Sequence, residues 1–104
     1  MIIREQITAS ATRLELTGVI NLQAFFRLEE AILKAINQNV FRIELEMSGV
    51  RHMDYRGVDI LVKRAERLRG YGGDLVLIGP SPYLVNILQL AGAASVFNIV
   101  QEKR

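Results

Sequence analysis

Residues 41–69 read FRIELEMSGVRHMDYRGVDILVKRAERLR, and this stretch decides the fold. From Phe41 to Met47 the pattern alternates: Ile43, Leu45 and Met47 fall on one face, Arg42, Glu44 and Glu46 on the other. That is the period of a strand. From about Tyr55 to Arg69 the period changes. At about 100° per residue, Val58, Leu61, Val62, Ala65 and Leu68 gather on the side that must face a sheet. Arg56, Lys63 and Arg67 fall on the opposite side, with Ile60 in the same stripe. Between strand and helix stands Asp54-Tyr55-Arg56-Gly57, a loop at a helix N-terminus.

The flanking sequence repeats the alternation of strand and helix. Met1–Ile7 and Thr12–Ile20 read as strands, joined through Thr8-Ala9-Ser10-Ala11 as a hairpin. Asn21 suits the N-cap of a helix from Leu22 to about Asn37, with an apolar stripe of Leu22, Phe25, Phe26, Ile32, Leu33 and Ile36. After Arg69, Gly70-Tyr71-Gly72-Gly73 reads as a helix stop; it lacks the lysine of a phosphate loop. Leu75–Ile78 is continuously apolar, as in a strand buried on both faces. Gly79-Pro80 breaks it, and Ser81 caps a helix with Pro82 in its first turn. Leu84, Ile87, Leu88 and Ala91 form that helix's apolar side, and Gly92 stops it. Val96–Val100 reads as a last strand and residues 101–104 as a solvated tail. The order β-β-α-β-α-β-α-β predicts one α/β domain over residues 1–104, with a mixed, mostly parallel sheet of about five strands.

Composition narrows the chemistry. Half of the 104 residues are apolar, enough for a core. No run reaches the ~18 apolar residues of a membrane span, and no signal-peptide core opens the chain, so membrane insertion is not expected. The chain has no cysteine and one histidine, His52, which excludes disulfides, thiol catalysis and a His-rich metal site and fits a cytoplasmic protein. Net charge is +2, a weak argument for nucleic acid. Six Lys and Arg against three acids lie between Arg51 and Gly72, so the basic surface concentrates around one helix.

Several stretches, in order and spacing, resemble the STAS family of sulfate transporter and anti-sigma factor antagonist domains. Ile43 to Val50 is similar to the family's aliphatic strand and Leu-Ser-Gly-Val turn, with Glu46 for its Asp. Gly73 to Ser81 is similar to its late strand and turn. Leu88-Gln89-Leu90-Ala91-Gly92 followed by Phe97 resembles its closing pattern, and Gly18-Val19-Ile20-Asn21 its Gly-Glu-Leu-Asp motif, with Asn21 for the acid. Asp54-Tyr55-Arg56-Gly57 occupies the place of the family's Asp-Ser-Ser-Gly. The resemblance implies the STAS fold and partner binding through this loop and the following helix. In the family the second serine accepts phosphate from a partner kinase, which turns binding off. Arginine has no hydroxyl to phosphorylate.

Asp54 caps a helix in one reading and belongs to a kinase-docking loop in another; the two are compatible. Arg56 puts a cation at the positive end of a helix, disfavoured by roughly 0.3–1 kcal/mol, so it either extends into solvent or is selected for a partner. Tyr55 reads as an aromatic contact before a phosphate acceptor. Ile60, framed by Arg56, Lys63 and Arg67, reads as an apolar anchor in a charged rim or as an ordinary exposed apolar residue. The partner-binding set is therefore Asn21, Asp54, Tyr55, Arg56, Gly57, Ile60, Lys63 and Arg67. No catalytic constellation, metal site or cofactor motif is present, so an enzyme is not expected.

The resemblance implies a non-catalytic regulator that binds an anti-sigma factor of the serine-kinase type or another signalling protein. A homodimer is compatible with it. Alternatives are a structural subunit of a signalling assembly or of an ABC-type lipid transporter, and a module for a small ligand or nucleotide.

Overall fold

The computed structural model describes residues 1–101. Its elements are β1 (Ile2–Ile7), β2 (Thr12–Ile20), α1 (Leu22–Asn37), β3 (Arg42–Met53), a 3-10 turn (Tyr55–Gly57), α2 (Val58–Gly70), β4 (Asp74–Ile78), α3 (Pro82–Leu90) and β5 (Asn98–Val100). One five-stranded sheet runs in the order β1-β2-β3-β4-β5. Only β1 and β2 are antiparallel; every later pair is parallel. The mixed, mostly parallel α/β sheet and the element order agree with the sequence reading.

Crossovers of one hand, stepping one way across a sheet, place all their helices on one face. The strands alternate accordingly. Leu14, Leu16, Ile43, Leu45 and Met47 enter the core with Phe25, Leu28 and Ile32 of α1 and Leu61 and Leu68 of α2. Arg13, Glu15, Glu44 and Glu46 take the other face, where Glu44 pairs with Arg13 at 3.4 Å and with Arg42 at 3.1 Å. Each buried Leu or Phe contributes about 1.5–3 kcal/mol. Because β2, β3 and β4 are parallel, their C-terminal ends meet along one rim, and the Thr8–Ala11 turn lies at the other.

Local chemistry explains the boundaries. Asn21 Oδ1 accepts the Ala24 amide at 2.8 Å and Ser81 Oγ the Leu84 amide at 3.2 Å, so both expected N-caps form. Gly92, at φ 70°, ends α3, with the Ala93 amide bonded to the Leu88 carbonyl at 2.9 Å.

Four expectations need correction. β3 does not stop at Met47 but continues to Met53. Ser48 and Gly49 stay in the sheet because β3 carries an extra residue opposite Glu15–Thr17 and another opposite Gly18–Val19, two bulges that relieve the pairing. β5 spans three residues and not Val96–Val100, because the Val96 amide turns back to the Ala93 carbonyl at 3.0 Å. On α1, Phe26 is exposed and Leu28 buried, a small rotation of the apolar stripe. On α2, Val62 is only half-buried. Of the expected C-terminal tail, Gln101 is exposed and donates to the Pro80 carbonyl at 3.0 Å, and residues 102–104 lie outside the described residues.

Candidate functional site

The Asp54–Gly57 loop is fixed from both sides. The Asp54 amide donates to the Ile20 carbonyl at 2.9 Å, which draws the end of β3 to the end of β2 and sets Asp54 beside Asn21. The Gly57 amide closes the 3-10 turn on the Asp54 carbonyl at 3.0 Å. Beneath it, a Cβ at Gly57 would collide with the ring of Phe25 on α1. Only glycine lets the turn settle that low.

Asp54 caps the turn as expected: its Oδ1 accepts the Arg56 amide at 3.0 Å. Arg56 does not extend freely into solvent. Its guanidinium folds back on the same carboxylate, Nε at 3.0 Å from Oδ1 and Nη2 at 2.6 Å from Oδ2. The carboxylate thus stands between the helix N-terminus and the cation that the helix alone would disfavour. These side-chain bonds, then the backbone bond, pull the Asp54 carboxyl down from 3.8 to about 2, and the Arg56 guanidinium is raised in turn.

A groove of about 790 Å³ opens beside this pair. Val19, Asn21, His52 and Met53 from the ends of β2 and β3 form one part, Tyr55 and Arg56 the loop edge, and Ile87 and Leu90 of α3 the remainder. A second hollow of about 420 Å³ lies on the far side of the loop, towards α2, and shares Tyr55, Arg56 and Leu90. The loop is a ridge between two hollows. Tyr55, 62% exposed, stands on it, and Leu90 of α3, 80% exposed, borders both hollows. His52 Nδ1 lies 2.7 Å from the Tyr83 hydroxyl, tying the end of β3 to the start of α3.

The sequence-predicted residues divide into two groups. Asn21, Asp54, Tyr55 and Arg56 converge on the groove, with Gly57 buried under them. Ile60, Lys63 and Arg67 do not line it. Ile60 is not a free anchor: it is half-buried and packed against the core. The basic surface around this helix is partly neutralised by ion pairs. Lys63 pairs with Asp59 at 3.4 Å, Arg64 with Glu29 of α1 at 3.5 Å and Arg69 with Asp74 at 3.7 Å. Arg67 is exposed. The groove's apolar wall was missed, although Leu90 lies off the apolar side of α3, a signal already present in the sequence.

Among the described residues, no group of three His, Cys, Asp or Glu is placed to hold a metal, and no helix is long and apolar enough to cross a membrane.

A family model described as "Mlab, STAS domain" matches residues 3–101. The chain belongs to the STAS family. This STAS chain is 28% identical over 89 residues to the anti-sigma F factor antagonist of Lysinibacillus sphaericus, covering 85% of this chain and 76% of that protein. The anti-sigma factor antagonist SpoIIAA in its unphosphorylated form superposes at TM-score 0.84 with 22% identity, over 99% of this chain and 90% of that one. An anti-sigma-factor antagonist (STAS) domain protein from Planctomyces limnophilus superposes at TM-score 0.80 with 20% identity, over 97% of this chain and 91% of that one. At these identities the structural likeness is one of fold.

Proposed function

We propose that this STAS domain is a non-catalytic protein-binding regulator of the anti-sigma factor antagonist kind, whose binding is not controlled by serine phosphorylation in the signature loop. Its partner is an anti-sigma factor of the serine-kinase type or a related signalling protein. The Asp54–Arg56 ion pair carries this reading: the position that would receive phosphate holds a cation already matched to the neighbouring carboxylate. Asn21, Asp54, Tyr55 and Arg56 form the centre of the contact above the buried Gly57, Leu90 adds exposed apolar surface, and Lys63 and Arg67 lie on its rim. A phosphoserine would bring about −1.5 to −2 charges where arginine brings +1, so a partner that accepts this loop meets a state that phosphate cannot reverse.

The test is surface plasmon resonance against the serine-kinase anti-sigma factors encoded in the same genome, with and without ATP, followed by intact-mass spectrometry. The expected result is a complex that survives ATP with no phosphate on this chain. Binding to none of them, or phosphorylation of the native chain with release, would overturn the reading.

A further inference from the structure

The groove beside the loop has the features of a small-ligand site, independently of protein binding. Its volume, about 790 Å³, falls within the roughly 300–1,000 Å³ usual for such sites. α3 presents only apolar side chains to it, Ile87 and Leu90, and the strand ends add Val19 and Met53. The charged and amide groups come from two loops, and their hydrogen bonding is one-sided. Asn21 spends its side-chain oxygen on the Ala24 amide, which leaves its NH₂ group. Both oxygens of Asp54 are engaged by Arg56. Those bonds use Nε and Nη2 of Arg56 and leave Nη1. The unspent amide and guanidinium groups at the groove are therefore donors, and the Tyr55 hydroxyl serves in either sense.

We propose that this groove binds a small amphipathic carboxylate. The aliphatic body lies against Val19, Met53, Ile87 and Leu90, and the anionic head accepts from the Asn21 amide and Arg56 Nη1. A cationic head is opposed by the Arg56 guanidinium and finds the Asp54 carboxylate already engaged; a neutral hydroxyl gains less from Arg56 than a carboxylate does. The head takes the Nη1 donor that Asp54 leaves free and shares the guanidinium charge with that carboxylate, so occupancy acts on the Asp54–Arg56 ion pair.

Three eight-carbon probes of equal length test this on the ¹⁵N-labelled full chain: octanoate, octan-1-ol and octylammonium, titrated by heteronuclear NMR. Octanoate is expected to shift the amides of Val19, Asn21, Arg56 and Leu90 saturably, and to bind about tenfold more tightly than octylammonium, the scale of one charge-assisted hydrogen bond. Arg56→Met should bring octanoate down to the level of octanol, and Leu90→Asp, at an exposed site, should remove both. Equal affinity for the three probes, shifts confined to other surfaces, or no saturable response would overturn the proposal. None of these results depends on whether a protein partner is found.

Discussion

The ring of Phe25 on α1 fills the space that a side chain at Gly57 would need. A core residue 32 positions earlier in sequence thereby sets the height of the loop that carries Asp54 and Arg56. Gly57→Ala is expected to lower stability by about 1–3 kcal/mol through overpacking, read as a lower urea midpoint with an unchanged slope. Combining it with Phe25→Leu should recover part of the loss, since the smaller side chain vacates the disputed space. Additive losses would mean the two residues do not share it.

Leu61 lies in the core at 1% exposure, on the side of α2 that faces the sheet. Leu61→Ala should cost about 2–5 kcal/mol, from lost burial and the cavity left behind. Chemical denaturation checks this, and an unshifted midpoint would contradict the packing of α2.

Asp54 makes an acid-sensitive contribution whose sign is fixed. Its folded-state pKa lies below the ordinary 3.8, at about 2, so the stabilisation is complete above about pH 4 and is lost as the pH falls through about 2. Carbon-detected NMR of the Asp54 carboxyl should give a midpoint near 2 in the native chain. In Arg56→Met the midpoint should rise towards 3.8, because the largest cause of the shift is the Arg56 side chain. A midpoint that ignores Arg56→Met would show that the ion pair does not persist in solution.

The loop chemistry makes one substitution informative in the gaining direction. Arg56→Ser restores an Asp-x-Ser-Gly sequence at the helix N-terminus and frees Asp54 from its cation. With ATP and a serine kinase that acts on ordinary STAS antagonists, the variant should gain one phosphate at position 56 by mass spectrometry, while the native chain gains none. Phosphate on Tyr55, Ser48 or Ser81 of the native chain would place the switch elsewhere.

Local rules decided most of the fold. Asn21 and Ser81 announced their helices because an N-cap needs only its own next turn, and the alternation through Ile43, Leu45 and Met47 needed only the pleat. Features set by distant partners were less legible. Ser48-Gly49 read as a turn, since the bulges that keep β3 in the sheet depend on pairing with β2. Ile60 read as exposed because a helical wheel does not include the neighbouring core surface. The ion pairs of Arg64 and Arg69, beside the basic stripe, were not legible because Glu29 and Asp74 reach them only in three dimensions. At the site, the Asp54 cap was readable, but the fold-back of Arg56 onto it was not. His52 and Tyr83, 31 residues apart, show no sign of their hydrogen bond in the sequence.

The parallel run of β2, β3 and β4 also governs how the molecule can be handled. With β1 antiparallel to β2, Met1 comes to lie beside Gly18, where a Cβ would stand 3.6 Å from its Cα. Val100 is in register with Ile78 at the end of β4. The first residue and the last strand thus emerge on the same rim as the groove, while the exposed Ser10 sits in the turn at the opposite end. A support or fluorophore attached at Met1 sits on the groove's rim of the sheet, beside Gly18. One attached through a cysteine introduced at Ser10 leaves the groove facing outward.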